Sequence, residues 1–157
     1  MKAFMAPLQG LAEFEQIKEK SKTNKGILQV SGCLESQKSH LMYGLSGIAP
    51  YRLILAEDER RAREIYEDYR FYDKKIYSYP AKDLLFFQAD IHGNLLIRQR
   101  MQVIRALLER EDEITVVTSI DGCMDYLAPL EKIEKQLKYG DRGRNGLYLH
   151  NDKSSIT

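Results

Sequence analysis

The sequence predicts an α/β domain with a mainly parallel sheet and flanking helices, and three observations carry that expectation. Four short apolar runs rich in β-branched or aromatic residues are spread along the chain, helical patterns fill the intervals between them, and the runs are hydrophobic almost without a break. Alternating strands and helices imply right-handed crossovers between parallel strands, and continuous hydrophobicity suits strands covered on both faces.

The elements follow in order. Leu11 to Lys20 reads as a helix ahead of the first strand, Ile27 to Ser31. A turn then leads into a helix over Gln37 to Leu45, and Arg52 to Ala56 is the second strand. From Asp58 to Arg70, Ala62, Ile65, Tyr66 and Tyr69 share one stripe, while Glu59 with Arg63 and Arg63 with Glu67 are spaced for ion pairs on the outside. Ile76 to Tyr79 is the third strand. The segment Pro80 to Asn94 is long for a connection and carries Leu84, Leu85, Phe86 and Phe87, so it is expected to pack over a sheet edge or to meet a partner. Leu95 to Arg110 repeats the amphipathic design, with Ile97, Met101, Ile104 and Leu108 inward and Arg98, Arg105 and Glu109 toward water. Ile114 to Thr118 is the fourth strand, and Pro129 to Lys138 reads as a short helix. Gly140 to Gly146 is a breaker cluster, Leu147 to Leu149 offers an edge strand, and Asn151 to Thr157 reads as a frayed tail. The expected division is one lobe over 1–138 and an irregular tail, or the start of a linker, over 139–157.

Composition narrows the function classes. At 157 residues, with 43% hydrophobic and 30% charged residues, the chain fits one globular domain with a real core. No apolar stretch approaches the roughly 18 residues of a membrane span, and the first residues lack the apolar core of a secretion signal, so a cytoplasmic location without membrane association is expected. Lys plus Arg number 24 against 23 Asp plus Glu, a net charge of +1 that supplies no basic excess for phosphate backbones. Cys33 and Cys123 are too few for a disulfide framework or a four-ligand zinc site and read as buried thiols. His40, His92 and His150 share no metal-ligand spacing, so no metal is expected.

One segment has the spacing of phosphate chemistry. The first run leads into Gly32-Cys33-Leu34-Glu35-Ser36-Gln37-Lys38-Ser39, and the phosphate-loop pattern G-x-x-x-x-G-K-[ST] is met at Gly32, Lys38 and Ser39. It fails at Gln37, where a second glycine lets the backbone wrap around phosphates. Glu35 adds a carboxylate that repels a polyphosphate. On paper Lys38 could contact phosphate and Ser39 could ligate magnesium; an ordinary first helical turn is the simpler reading. A nucleoside triphosphatase also needs a carboxylate past a second strand. The candidate is Asp121, yet Thr118-x-x-Asp121 reads better as a helix capping box. No catalytic residue and no cofactor are expected.

Two further readings concern surfaces. Arg98 and Arg105 share a face of the long helix, with Arg100 pointing elsewhere; pairing with Glu109 and Glu111 competes with a partner surface or weak DNA binding. Tyr66, Tyr69, Tyr77 and Tyr79 suggest core packing more simply than a stacking platform for single strands.

The order of features resembles the N-terminal UvrB-like lobe of the bacterial transcription-repair coupling factors, the Mfd family. The resemblance rests on Val30 to Ser39 at the degenerate loop, Ile54-Leu55-Ala56-Glu57-Asp58 leading to Ala62 and Tyr66, and Tyr79-Pro80-Ala81-Lys82-Asp83-Leu84-Leu85. Arg100 with Leu107 and Leu108, then Ile114 to Ser119 and Leu127-Ala128-Pro129, complete it, so that it spans Leu8 to Ile133. It implies a RecA-like, P-loop-NTPase-like lobe with a degenerate phosphate loop and no nucleotide chemistry. In that family the N-terminal region mimics UvrB and helps to recruit UvrA. ATP-driven translocation on DNA belongs to motor domains later in a longer chain, as do contacts with RNA polymerase. The resemblance thus implies a noncatalytic scaffold within a transcription-coupled DNA repair factor, packed against other domains of its own chain and touching UvrA indirectly or weakly. The alternatives are an ATP-binding protein using Lys38 and Ser39, or a weak DNA-binding module using the arginine face.

Overall fold

The computed structural model describes residues 2–23, 26–82, 91–110, 112–127, 129, 132 and 133. The chain divides into two units, Met1–Asp125 and Tyr126–Thr157. In the first, α1 (Lys2–Gln9), α2 (Ala12–Thr23) and α3 (Glu35–Gly44) precede β1 (Tyr51–Ala56), with a single 3-10 turn at Ser46–Ile48. Then come α4 (Glu59–Tyr69), β2 (Ile76–Tyr79), α5 (Ile91–Leu108), β3 (Ile114–Ser119) and the short α6 (Ile120–Met124). In the second unit, Lys132 and Ile133 donate their N–H groups to the carbonyl of Pro129 at 3.0 and 3.3 Å, one turn of the helix expected there. The rest of that helix, the Leu84 to Phe87 cluster, the Leu147 to Leu149 run and residues 139–157 lie outside the described residues.

The fold is α/β and the sheet parallel, as expected, but among the described residues the sheet has three strands rather than four, in the order β1-β3-β2. Tyr51 pairs with Ile114 and Ala56 with Ser119 along β1 and β3, while Ile76 pairs with Thr115 and Tyr79 with Thr118 along β2 and β3. The central strand is sealed on both faces: Ile114, Thr115, Val117 and Ser119 are buried. This small open sheet with flanking helices is compatible with a RecA-like layout.

α4 has the sequence to cover one face. Asp58 caps it by accepting from the N–H of Arg61 at 2.7 Å. Its buried stripe, Ala62, Ile65 and Tyr69, packs with Ala56, Ile76, Val117 and Tyr43 in one core, and Tyr66 lies partly buried against it. The Tyr43 ring stacks on Tyr72 at 5.3 Å and meets Tyr69 edge-on at 6.2 Å. At Gly44 an added Cβ would lie 2.6 Å from Leu8 Cδ1 and 2.8 Å from Phe14 Cε2, so the bare backbone there lets α3 sit against the first two helices.

Several expectations are corrected. Ile27 to Ser31 is no strand: it makes no ladder with any described strand, and Ile27 is 96% exposed. β-prone residues form a strand only where a neighbouring backbone completes the ladder. α5 starts at Ile91, four residues before the expected Leu95, and its buried residues are Arg100, Val103, Ile104 and Ala106. Ile97, Met101 and Leu108 are only half-buried, because the helix turns Arg100 inward. Glu59 also points inward rather than to Arg63, Glu67 pairs with Arg70 rather than Arg63, and Arg60 and Arg61 both pair with Glu64. Cys33 is half-buried and Cys123 exposed, against the expectation of two buried thiols. The cap of α6 is Ser119, whose hydroxyl accepts from the N–H of Gly122 at 2.9 Å; Thr118 instead donates to the carbonyl of Tyr79 at 2.7 Å. No described helix is long and apolar enough to cross a membrane.

Candidate functional site

The phosphate-loop segment is closed on itself. Gly32 has φ +84°, the left-handed region that glycine enters without a Cβ penalty, and from there the chain turns into α3. The helix begins at Glu35, before Lys38, so the N–H groups of Gln37 and Lys38 are already spent on the carbonyl of Leu34, at 3.0 and 3.2 Å. Gln37, in the place of the second glycine, reaches back to accept from the N–H of Leu34 at 3.1 Å. Three backbone donors of this segment are thereby satisfied within the protein.

Its cations are closed off as well. Glu35 takes both Lys38 and Arg61 as ion-pair partners. Arg61 also donates to Glu64 at 3.0 Å, and Arg60 meets Glu64 at 2.5 Å. A carboxylate thus stands where an anionic ligand would have to displace it. Ser39, the other motif residue, is buried in α3 and does not line the adjoining cavity. That cavity, about 700 Å³, lies between Val30, Cys33 and α3 on one side and Ile54, Leu55 and Ala56 on the other. Its charged lining is balanced, with Glu35, Glu57 and Glu64 against Lys38, Arg60 and Arg61.

A second polar cluster lies at the carboxyl ends of β2 and β3, and sequence reasoning missed its function-like density. Glu59 accepts from the hydroxyl of Ser119 and from the N–H of Ala81, the latter at 2.9 Å. Arg100 donates to the carbonyl of Pro80 at 2.6 Å, to the Asp125 carboxylate at 2.7 Å and to the Tyr79 hydroxyl at 2.6 Å. Its guanidinium carbon also lies 4.0 Å from the centre of the Tyr79 ring. Burial pushes the Tyr79 hydroxyl above the usual tyrosine pKa, with Arg100 pulling the other way. Asp125 further accepts from the N–H of Lys82 at 2.7 Å. The polar groups here are answered by protein, so the cluster ties strand ends to α4 and α5.

The remaining candidates are dispersed. Arg98 and Arg105 are exposed on α5, and Arg105 lies 3.8 Å from Glu109. Asp121 is exposed in the first turn of α6. His40 stacks on Tyr72 at 5.2 Å with its Nε2 2.5 Å from the carbonyl of Phe4, a structural position. Among the described residues no group of three His, Cys, Asp or Glu side chains is placed to hold a metal ion. Compared with protein-family models, with curated proteins and with solved structures, the chain matches none.

Proposed function

We propose that the chain is a noncatalytic interaction lobe, a UvrB-like scaffold of RecA-like ancestry within a transcription-coupled DNA repair factor, where it supports UvrA recruitment and packs against other parts of the same polypeptide. The observation that carries the noncatalytic half is Glu35 held by Lys38 and Arg61 at the start of a helix that has already used its loop donors. Such a segment keeps the residue spacing of a phosphate loop and the helix that follows it, with the N–H groups of Leu34, Gln37 and Lys38 already bonded within the protein. The repair half rests on the ordered resemblance of the sequence from Leu8 to Ile133.

Each half has its own test. A fluorescent ATP analogue titrated with magnesium gives no saturable signal up to millimolar concentration, and Lys38→Ala changes nothing; saturable binding lost in that variant would establish the ATP-binding alternative. In the full-length factor, deleting the lobe weakens UvrA recruitment, and unchanged recruitment and regulation would remove the repair reading.

A further inference from the structure

A second cavity, of about 290 Å³, lies between α4 and α5 at the carboxyl end of β2. Ligands of open parallel sheets gather at that end of the strands. It shares no lining residue with the cavity beside the phosphate-loop segment.

The helical period delivers its charged wall. Glu59, Arg63 and Glu67 stand at four-residue intervals on α4, about 6 Å apart along the axis, and all three line the cavity. Glu59 is half-buried and spends Oε1 on both Ser119 and Ala81, which leaves Oε2 unbonded among the described residues. Glu67 is neutralised by Arg70 at 3.2 Å. Arg63 is exposed and has no ion pair or hydrogen bond among the described residues, and the same holds for the side chains of Ser78 and Gln99. The rest of the lining is apolar or aromatic, with Pro80 buried and Leu95 and Leu96 contributed by α5.

This combination selects among ligands. A bare anion meets the carboxylates of Glu59 and Glu67, and a bare cation meets Arg63. A molecule that carries both charges on neighbouring atoms, with an apolar group attached, satisfies the free guanidinium, the free carboxylate oxygen and the apolar wall together. We infer that the cavity binds a free α-amino acid with a mid-sized apolar side chain. Its carboxylate lies on Arg63 and Gln99, its ammonium on Glu59, and its side chain against Leu95, Leu96 and Pro80. At the roughly 30 Å³ that a water-sized group fills in a liquid, the cavity holds about ten non-hydrogen atoms, the size of leucine. The site goes beyond the interaction-lobe reading and does not depend on it, so its failure leaves that reading untouched.

Calorimetric titration of the whole chain with L-leucine tests the site, and amide chemical shifts locate the binding. Leucine saturates the chain with a Kd of about 1 mM or tighter and shifts the amides of Ser78, Leu96 and Gln99. Leucinamide lacks the carboxylate and N-acetylleucine lacks the ammonium, and each binds roughly tenfold more weakly or worse. Arg63→Ala keeps the thermal transition of the parent and weakens leucine roughly tenfold, with part of the loss recovered in Arg63→Lys. Glu59→Gln retains an acceptor for Ser119 and Ala81, and it weakens leucine while leaving N-acetylleucine unchanged. Arg60→Ala, outside this cavity, leaves leucine binding as it was. No saturation by about 10 mM leucine, equal affinity for the three probes, or undiminished binding in Arg63→Ala overturns the proposal. Tighter binding of leucinamide than of leucine also overturns it and assigns the cavity to the first residue of a polypeptide.

Discussion

Arg100 and Asp125 form an ion pair at 2.7 Å whose side chains are only 7% and 18% exposed. The arginine reaches it from the buried face of α5, and the aspartate lies just past α6, so one pair joins two helices at the ends of β2 and β3.

Removing one member strands the other. Arg100→Ala leaves a half-buried carboxylate, the Pro80 carbonyl and the Tyr79 hydroxyl without their donor, and is expected to cost about 3–5 kcal/mol. Urea unfolding measures it. Arg100→Met, which keeps the stem, remains clearly less stable than the parent as long as Asp125 is present; parity of the two would show the pair contributes nothing.

Tyr69 sets an alkaline limit. Its hydroxyl is buried, and burial raises its pKa above the ordinary 10.0, with the neighbouring Thr115 hydroxyl and the Arg52 guanidinium pulling the other way. The folded state therefore holds the phenol proton more tightly than the unfolded chain. Its contribution is complete below about pH 10 and is lost as pH rises through the folded pKa. Denaturant midpoints followed upward from pH 9 fall with pH, and Tyr69→Phe makes the fall shallower while shifting neutral-pH stability by less than about 1 kcal/mol.

Ser119 serves two partners, as cap of α6 through the N–H of Gly122 and as donor to Glu59. Ser119→Ala is expected to cost about 1–3 kcal/mol, a lost cap plus a half-buried carboxylate that loses a donor. An equilibrium unfolding midpoint indistinguishable from the parent would contradict the double role.

Gly32→Ala separates backbone from space. Nothing lies within 4 Å of the added Cβ, but φ is +84°. The expected loss is about 1 kcal/mol from the left-handed conformation alone, read as a small drop in melting temperature. No drop would show that the chain adopts another path there.

Glu35→Gln releases Lys38 and Arg61 from their shared carboxylate. The Glu35 side chain is 63% exposed, so stability shifts by no more than about 1 kcal/mol. Thermal melts at low and high salt check this, and a large loss at both would assign Glu35 a packing role instead.

The three parallel strands and the Ala62, Ile65, Tyr69 stripe were legible because their chemistry is local: β-branched runs and a helical period specify the buried face directly. What was not legible depended on distant residues. Ile27 to Ser31 has the composition of a strand, but a ladder needs a second backbone, and among the described residues none lies beside it. The inward turn of Arg100 required Tyr79, Pro80 and Asp125, and that of Glu59 required Ser119, none of them visible in helical spacing. At the degenerate loop, the missing glycine and the extra carboxylate were readable from spacing. The closure of Glu35 on Arg61, 26 residues away, was not.

The strand order also constrains how the molecule is made. Among the described residues β1 and β2 each bond only to β3, the last of the three strands to be synthesised. A growing chain can wind α4 and α5 but has no strand pair to form until Ile114 to Ser119 emerges. The sheet then assembles in one step around its central strand, paying the closure of two long loops together. Pulse-labelled chains stalled before Ile114 should therefore be protease-sensitive throughout, and those stalled with β3 fully exposed from the ribosome should be resistant.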